Sequence, residues 1–118
     1  MKELGKGLSC SSEKEAIGEL KIIKTIQDVI TLFDKAQGKI CFVEDAGTTT
    51  LGPIMSDLEG IVCSTGGPAS HLAIVSREFD IPCIMALNSN IKTLDQYDNK
   101  KVKIVTQDSD QGILYLVE

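Results

Sequence analysis

Gly60-Ile61-Val62-Cys63-Ser64-Thr65-Gly66-Gly67-Pro68-Ala69-Ser70-His71-Leu72-Ala73-Ile74-Val75-Ser76-Arg77-Glu78-Phe79 decides how this chain is read. The first six residues form an apolar stretch with the character of a buried strand. The next five are small and turn-forming, and an apolar helix follows them. Beyond Asp80-Ile81-Pro82 a second apolar run, Cys83-Ile84-Met85-Ala86-Leu87, reads as another strand. Strand, small-residue turn, helix and strand make an α/β unit. His71, the single histidine of the 118 residues, falls where the turn becomes helix.

That position has a chemical meaning. The first turn of a helix presents unpaired N–H donors and the positive end of its dipole, which together bind anions. The same field disfavours imidazolium, so the ring stays neutral and nucleophilic. Gly66 and Gly67 let backbone approach a phosphate closely, Pro68 stiffens the turn, and Ser70 suits the N-cap. A phosphoryl-carrying histidine fits these residues. An ordinary capped turn with a surface histidine fits them too, and spacing alone leaves both open. Arg77 is six residues beyond His71, which at about 100° per residue turns it off that face. It is expected in a surface salt bridge or a partner contact. Glu78 shares the side of His71 but sits two turns along, too far to orient a ring.

Outward from this stretch, residues 18–24 alternate as a strand. Thr25-Ile26-Gln27-Asp28 resembles a capping box and opens a helix whose stripe, Ile26, Val29, Ile30 and Phe33, is expected in the core. Gly38 ends that helix. Residues 39–44 read as a strand and 44–52 as a loop in which Thr48, Thr49 and Thr50 have ordinary loop chemistry. Pro53 starts a short helix to about residue 58. Later strands are expected at 61–64, 83–87, 102–105 and 113–117, the last two as a hairpin.

Composition narrows the function. One domain, residues 1–118, is expected at this length. Hydrophobic residues make up 42% of the chain and tryptophan is absent, so the core is aliphatic. A net charge of −5 argues against a nucleic-acid partner, and Lys100, Lys101 and Lys103 read as a solvated strand edge. No apolar run approaches the roughly 20 residues of a bilayer span, and Met1-Lys2-Glu3-Leu4-Gly5 is no signal-peptide core. No membrane partner and a cytoplasmic location are expected. Cys10, Cys41, Cys63 and Cys83 show no metal-ligand spacing. The last three read as buried, reduced thiols, while Cys10 has room to be exposed.

Thr65-Gly66-Gly67-Pro68-Ala69-Ser70-His71-Leu72-Ala73-Ile74-Val75-Ser76-Arg77-Glu78 with Ile81-Pro82 resembles the signature of the phosphoenolpyruvate-utilising enzymes' mobile domain. This is the swivelling phosphohistidine domain of pyruvate phosphate dikinase, phosphoenolpyruvate synthase, enzyme I of the sugar phosphotransferase system and rifampicin phosphotransferase. Counterparts at Gly7-Leu8-Ser9, residues 18–23, Gly52-Pro53 and the last two strands extend the resemblance over nearly the whole chain. It implies a three-layer β/β/α fold, whose second sheet layer is not readable from periodicity. It also implies that His71 receives the phosphoryl group.

Phosphate contacts then fall to Thr65, Gly66, Gly67, Ala69 and Ser70. The chain departs from the family at Ala69, where Thr or Ser is frequent, at Leu72 in place of Ala, and at Cys10-Ser11-Ser12 in place of Pro-Gly. Ala69 removes a hydroxyl that some dikinases use for regulatory phosphorylation. With no P-loop, no ATP-binding domain and no barrel to hold phosphoenolpyruvate or pyruvate, the chain is expected to hold no cofactor of its own. An ATP-grasp-like protein or domain, a phosphoenolpyruvate- or pyruvate-binding one, or both would supply the donor and acceptor sites, with Mg2+ at those sites. Resemblance to phenylphosphate synthase or rifampicin phosphotransferase would allow a different acceptor, phenol or an antibiotic, with the same chemistry at His71. A non-catalytic binding or regulatory module that keeps the fold is the alternative from another class.

Overall fold

The computed structural model describes residues 2–10, 14–24, 26–43, 54, 57–65, 71–89, 91–106 and 111–117. Their order is β1 (Lys2–Ser9), β2 (Lys14–Ile23), α1 (Ile26–Thr31), β3 (Lys39–Val43), β4 (Gly60–Cys63), α2 (His71–Glu78), β5 (Cys83–Met85), α3 (Ile91–Asp95), β6 (Lys101–Thr106) and β7 (Gln111–Leu116). The strands close into one barrel in the order β1-β5-β4-β3-β2-β6-β7. β2, β3, β4 and β5 run parallel to one another, while β6 and β1 pair antiparallel with their neighbours. The α/β class is therefore present, with the sheet dominant and the helices few. Among the described residues no helix is long and apolar enough to cross a membrane.

Side chains explain why β3, β4 and β5 are apolar throughout. Ile40, Phe42, Val62 and Ile84 point into the barrel with Leu20, Val102, Ile104 and Leu114. Cys41, Val43, Ile61, Cys63, Cys83 and Met85 point the other way, into a second core with Val29, Leu32 and Ala73 from the helix side. Strands buried on both faces cannot alternate with polar residues. β6 does alternate, with Val102, Ile104 and Thr106 buried and Lys101 exposed. It pairs on both sides, with β2 and β7, so the lysines there do not mark a sheet edge as the sequence had suggested. Lys103 reaches Glu15 at 3.7 Å instead.

Gly7 and Gly112 are register partners on β1 and β7. A Cβ on Gly7 would lie 2.8 Å from Ile84 Cγ2, and one on Gly112 would lie 2.5 Å from Ile84 Cγ1. The pair leaves the space that the fully buried Ile84 fills. This explains why β1, with two glycines in a short run, is poor in strand-forming residues and escapes a reading by propensity.

The first helix is shorter than its stripe suggested. α1 ends at Thr31, and turns carry the chain on to Gly38 at φ 81°. Val29, Leu32 and Ala36 are buried, whereas Ile30 and Phe33 are about half exposed. The core face is therefore rotated from the expected one, onto Val29, Leu32 and Ala36. The Asp28 carboxylate accepts from the Lys24 backbone N–H at 2.8 Å, one residue before the Thr25 N–H that the expected capping box would use. Half of the short helix expected at 53–58 lies outside the described residues, but Ile54 and Leu58 are buried in the helix-side core.

α2 stops in a well-formed cap. The Ile81 N–H donates to the Ser76 carbonyl at 2.9 Å and the Asp80 N–H to the Arg77 carbonyl at 3.2 Å, with Asp80 left-handed at φ 57°. This is a Schellman motif with an aspartate where glycine is preferred. Asp80→Gly is expected to stabilise the fold by about 0.5 kcal/mol by relieving the left-handed strain. A urea titration checks it, and a lower midpoint would contradict the cap assignment.

On the outer face of β2, Glu19 lies 3.3 Å from Lys21 and 3.2 Å from Lys39. Its slight burial pushes the carboxyl up, but the hydrogen bonds from Lys39 and Lys21 outweigh that and hold it below the ordinary value of 4.5. A carboxylate with a depressed folded pKa stabilises above its unfolded pKa, and the contribution is lost as pH falls through the folded one. The stability gap between the native chain and Glu19→Gln should therefore shrink on acidification below about pH 4.5. Melting temperatures of both at pH 7 and pH 3 test this, and an unchanged gap would refute it. All three side chains remain partly exposed to solvent, so the gap is small.

Candidate functional site

Gly60–Cys63 form β4 and His71–Glu78 form α2. All four residues of β4 are buried, Ser64 is half-buried and Thr65 is exposed. Backbone bonds hold the strand's carboxyl end on both sides. The Ser64 N–H donates to the Val43 carbonyl of β3 at 3.3 Å, and the Leu87 N–H to the Cys63 carbonyl at 3.0 Å. Ligands of parallel sheets bind beyond such carboxyl ends.

His71 is the first residue of α2, as the sequence had placed it, six positions past Thr65. Ala73 and Ser76, both fully buried, form the inward face of the helix, and Ala73 sits in the same core as Cys63 and Ile61. A methyl at this contact lets the helix lie close on β4. Gly66, Gly67, Ala69 and Ser70 lie outside the described residues, as do Thr48, Thr49 and Thr50. Thr65 is described, and its hydroxyl lies 3.8 Å from Cys63 Sγ.

Two residues behave in ways that left no trace in the sequence reading. Ala86 is left-handed at φ 52°, and its N–H donates to the Thr65 carbonyl at 3.4 Å. An alanine in that conformation is strained and has no sequence signature; it reads as the continuation of an apolar strand. β5 accordingly ends at Met85 rather than at 87. The second residue, Cys10, lies against the start of β5, near Arg77 in the last turn of α2. It is 3% exposed, not the surface thiol its position allowed, because its N–H bonds the Cys83 carbonyl at 3.0 Å and its side chain packs into the helix-side core. Cys41, Cys63 and Cys83 are buried, reduced thiols, as expected.

Arg77 is held away from the start of its helix. Its Nη1 donates to the Cys10 carbonyl at 3.3 Å, which makes it a tie between α2 and the end of β1 rather than a phosphate clamp. At the far end of α2, a cavity of about 300 Å³ is lined by residues including Glu15, Glu59, Phe79 and Asp80. Its carboxylates make it unsuitable for phosphate. Among the described residues no three His, Cys, Asp or Glu side chains are placed to share a metal ion.

The chain is thus a mixed α/β barrel domain in which one helix begins at a histidine. Residues 33–112 match the family of the PEP-utilising enzyme, mobile domain, and the chain belongs to that family. It is similar to a probable phosphoenolpyruvate synthase of Methanothermobacter thermautotrophicus, 34% identical over 95% of this chain. A second probable phosphoenolpyruvate synthase, from Archaeoglobus fulgidus, is 32% identical over 97% of it. The chain spans 15% and 14% of the length of those relatives. A crystal structure of an MccF-like protein from Bacillus anthracis shares the fold, with a TM-score of 0.53 and 17% identity over 96% of this chain and 43% of that one.

Proposed function

We propose that this chain is a phosphoryl carrier in which His71 is transiently phosphorylated. The observation that carries the reading is that α2 begins at His71, the next helix or strand after β4 among the described residues, within the matched family segment. A ring nitrogen of His71 attacks the phosphorus of a bound donor, the P–N bond forms and the bond to the donor's leaving group breaks. The phosphohistidine then yields the group to an acceptor, with the ring nitrogen as leaving group. Positioning and charge stabilisation do most of this work. The N–H groups around Gly67, Ala69 and Ser70, with the hydroxyls of Ser70 and Thr65, are the residues we assign to it.

The two cores, one inside the barrel and one under the helices, support reading the barrel as two flattened sheet layers with a helical third. That is the β/β/α arrangement of a swivelling domain, and we read residues 1–118 as one such domain. Donor and acceptor sites belong to partner domains or subunits, one binding nucleotide and the other phosphoenolpyruvate or pyruvate, with Mg2+ at those sites. Catalysis by this chain therefore requires a partner, and the cytoplasm supplies such donors.

Incubation in a lysate of the source organism tests the proposal. Labelled phosphoenolpyruvate and ATP labelled at the β- or γ-phosphate are supplied separately. Acid-labile, base-stable label from one donor supports the carrier and identifies the class of its partner. No label from either, with the protein folded, overturns it in favour of a binding or regulatory module.

A further inference from the structure

We propose that Cys10 and Cys83 are a peroxide-oxidisable thiol pair that closes to a disulfide joining the end of β1 to the start of β5. The register places them opposite each other. Leu8 pairs with Met85 and Ser9 with Ile84, so Cys10 and Cys83 form the next rung, and the Cys10 N–H donates to the Cys83 carbonyl at 3.0 Å. Opposed residues of a hydrogen-bonded antiparallel rung have Cα atoms about 5.5 Å apart, inside the span of disulfides. Both side chains point to the helix-side face and lie in the same core. The Cys83 thiol hydrogen-bonds the Cys10 sulfur, so the reacting atoms already meet.

The two thiols are unequal. The bond from Cys83 holds the Cys10 thiol below its ordinary value; burial opposes this, and the Arg77 charge and the Met85 N–H assist it. Cys83 is pushed up, first by its bond to Cys10 and then by burial, against a bond from Ser76. Cys10 is therefore the more acidic thiol of the two, and at 3% exposed it is also the more accessible. Cys41 lies two strands from β5, and burial pushes its thiol up to about 12. Cys63 lies on β4, against the Thr65 hydroxyl.

The chemistry balances with hydrogen peroxide as oxidant. The Cys10 thiolate attacks one peroxide oxygen, the O–O bond breaks, and the departing hydroxide takes a proton to become water. Cys83 attacks the resulting sulfenic sulfur, the S–S bond forms, the S–O bond breaks, and the second hydroxide leaves with the Cys83 proton as water. Two thiols are oxidised and one peroxide becomes two waters. The bridge ties the segment that Arg77 contacts to the strand under α2, and it takes the Cys83 sulfur from its bond with Ser76.

The test treats the full chain with a few equivalents of hydrogen peroxide, blocks remaining thiols with iodoacetamide under denaturing conditions, and maps the peptides. The expected product is about 2 Da lighter before blocking, carries two alkyl groups, on Cys41 and Cys63, and reverts with dithiothreitol. Its melting temperature should rise by about 5–15 °C, since the bridge closes a long loop. Cys10→Ser should abolish the bridge, and Cys41→Ser should leave it unchanged. Four alkylated cysteines after treatment, a bridge to Cys41 or Cys63, or an intermolecular bridge would each overturn the proposal. The native chain alone decides this, whatever the folding of the variants.

Discussion

His71→Ala should take up no phosphoryl group from any donor that labels the native chain, a loss of at least about 10³-fold. The expectation rests on the nucleophile. A covalent P–N intermediate needs the ring's lone pair, and alanine offers none. The substitution is mild for the fold, because His71 opens α2 and alanine is the best helix former. Melting temperature and far-ultraviolet circular dichroism should therefore stay near native, so that a loss of label reports chemistry and not unfolding. Label of equal acid lability on the variant would place the acceptor on another residue. Thr65→Ala, which removes the described hydroxyl at the end of β4 without touching the nucleophile, serves as the comparison. It should slow uptake while leaving a phosphohistidine.

Phe42→Ala should destabilise the chain by about 3–5 kcal/mol. Phe42 is fully buried on β3 and points into the barrel among Leu20, Val62, Ile84 and Ile104. A small closed barrel is filled by its own side chains, so the space left by an aromatic ring cannot collapse without moving several strands at once. Against the 5–15 kcal/mol total stability of an ordinary domain this is a large share. It corresponds to a fall of roughly 10–20 °C in melting temperature. A thermal melt followed by circular dichroism measures it. A fall of only a few degrees would mean that the barrel interior is far less tightly filled than the burial of its residues implies.

Much of this architecture was open to reading in the sequence, and the reasons are local. The runs that became β3, β4 and β5 are apolar on both faces because one face lines the barrel and the other lies under helices. A continuous apolar run reports that double burial directly. The β6–β7 hairpin was legible from alternation and from turn residues. Closure of the ring was not. It depends on β1, whose Gly5 and Gly7 lower its strand propensity and whose register shifts between Glu3 and Gly5, breaking its alternation. α3, at five residues, is too short to show a period.

The candidate site divides the same way. A helix starting at His71 follows from small residues giving way to apolar ones, and the structure begins α2 there. The support of Thr65 by Ala86, and the burial of Cys10 against Cys83, come from contacts between residues far apart in sequence. No periodicity carries that information. The hydroxyl and backbone donors expected at Gly66, Gly67, Ala69 and Ser70 follow from residue type and from the family resemblance, and the Thr65 comparison tests only the described end of that group.

Ring closure also sets the order of events in folding. Lys2 pairs with Leu116 and Glu3 with Tyr115, so the barrel shuts only when the two most distant parts of the chain meet. Such a contact carries a large loop-closure cost before it returns any burial, and chains of this kind fold slowly for their size. During synthesis, β1 must wait without one neighbour until β7 has left the ribosome. The strands that could template aggregation in that interval are β1 and β6, whose unmatched edges disappear together when the last strand is laid between them.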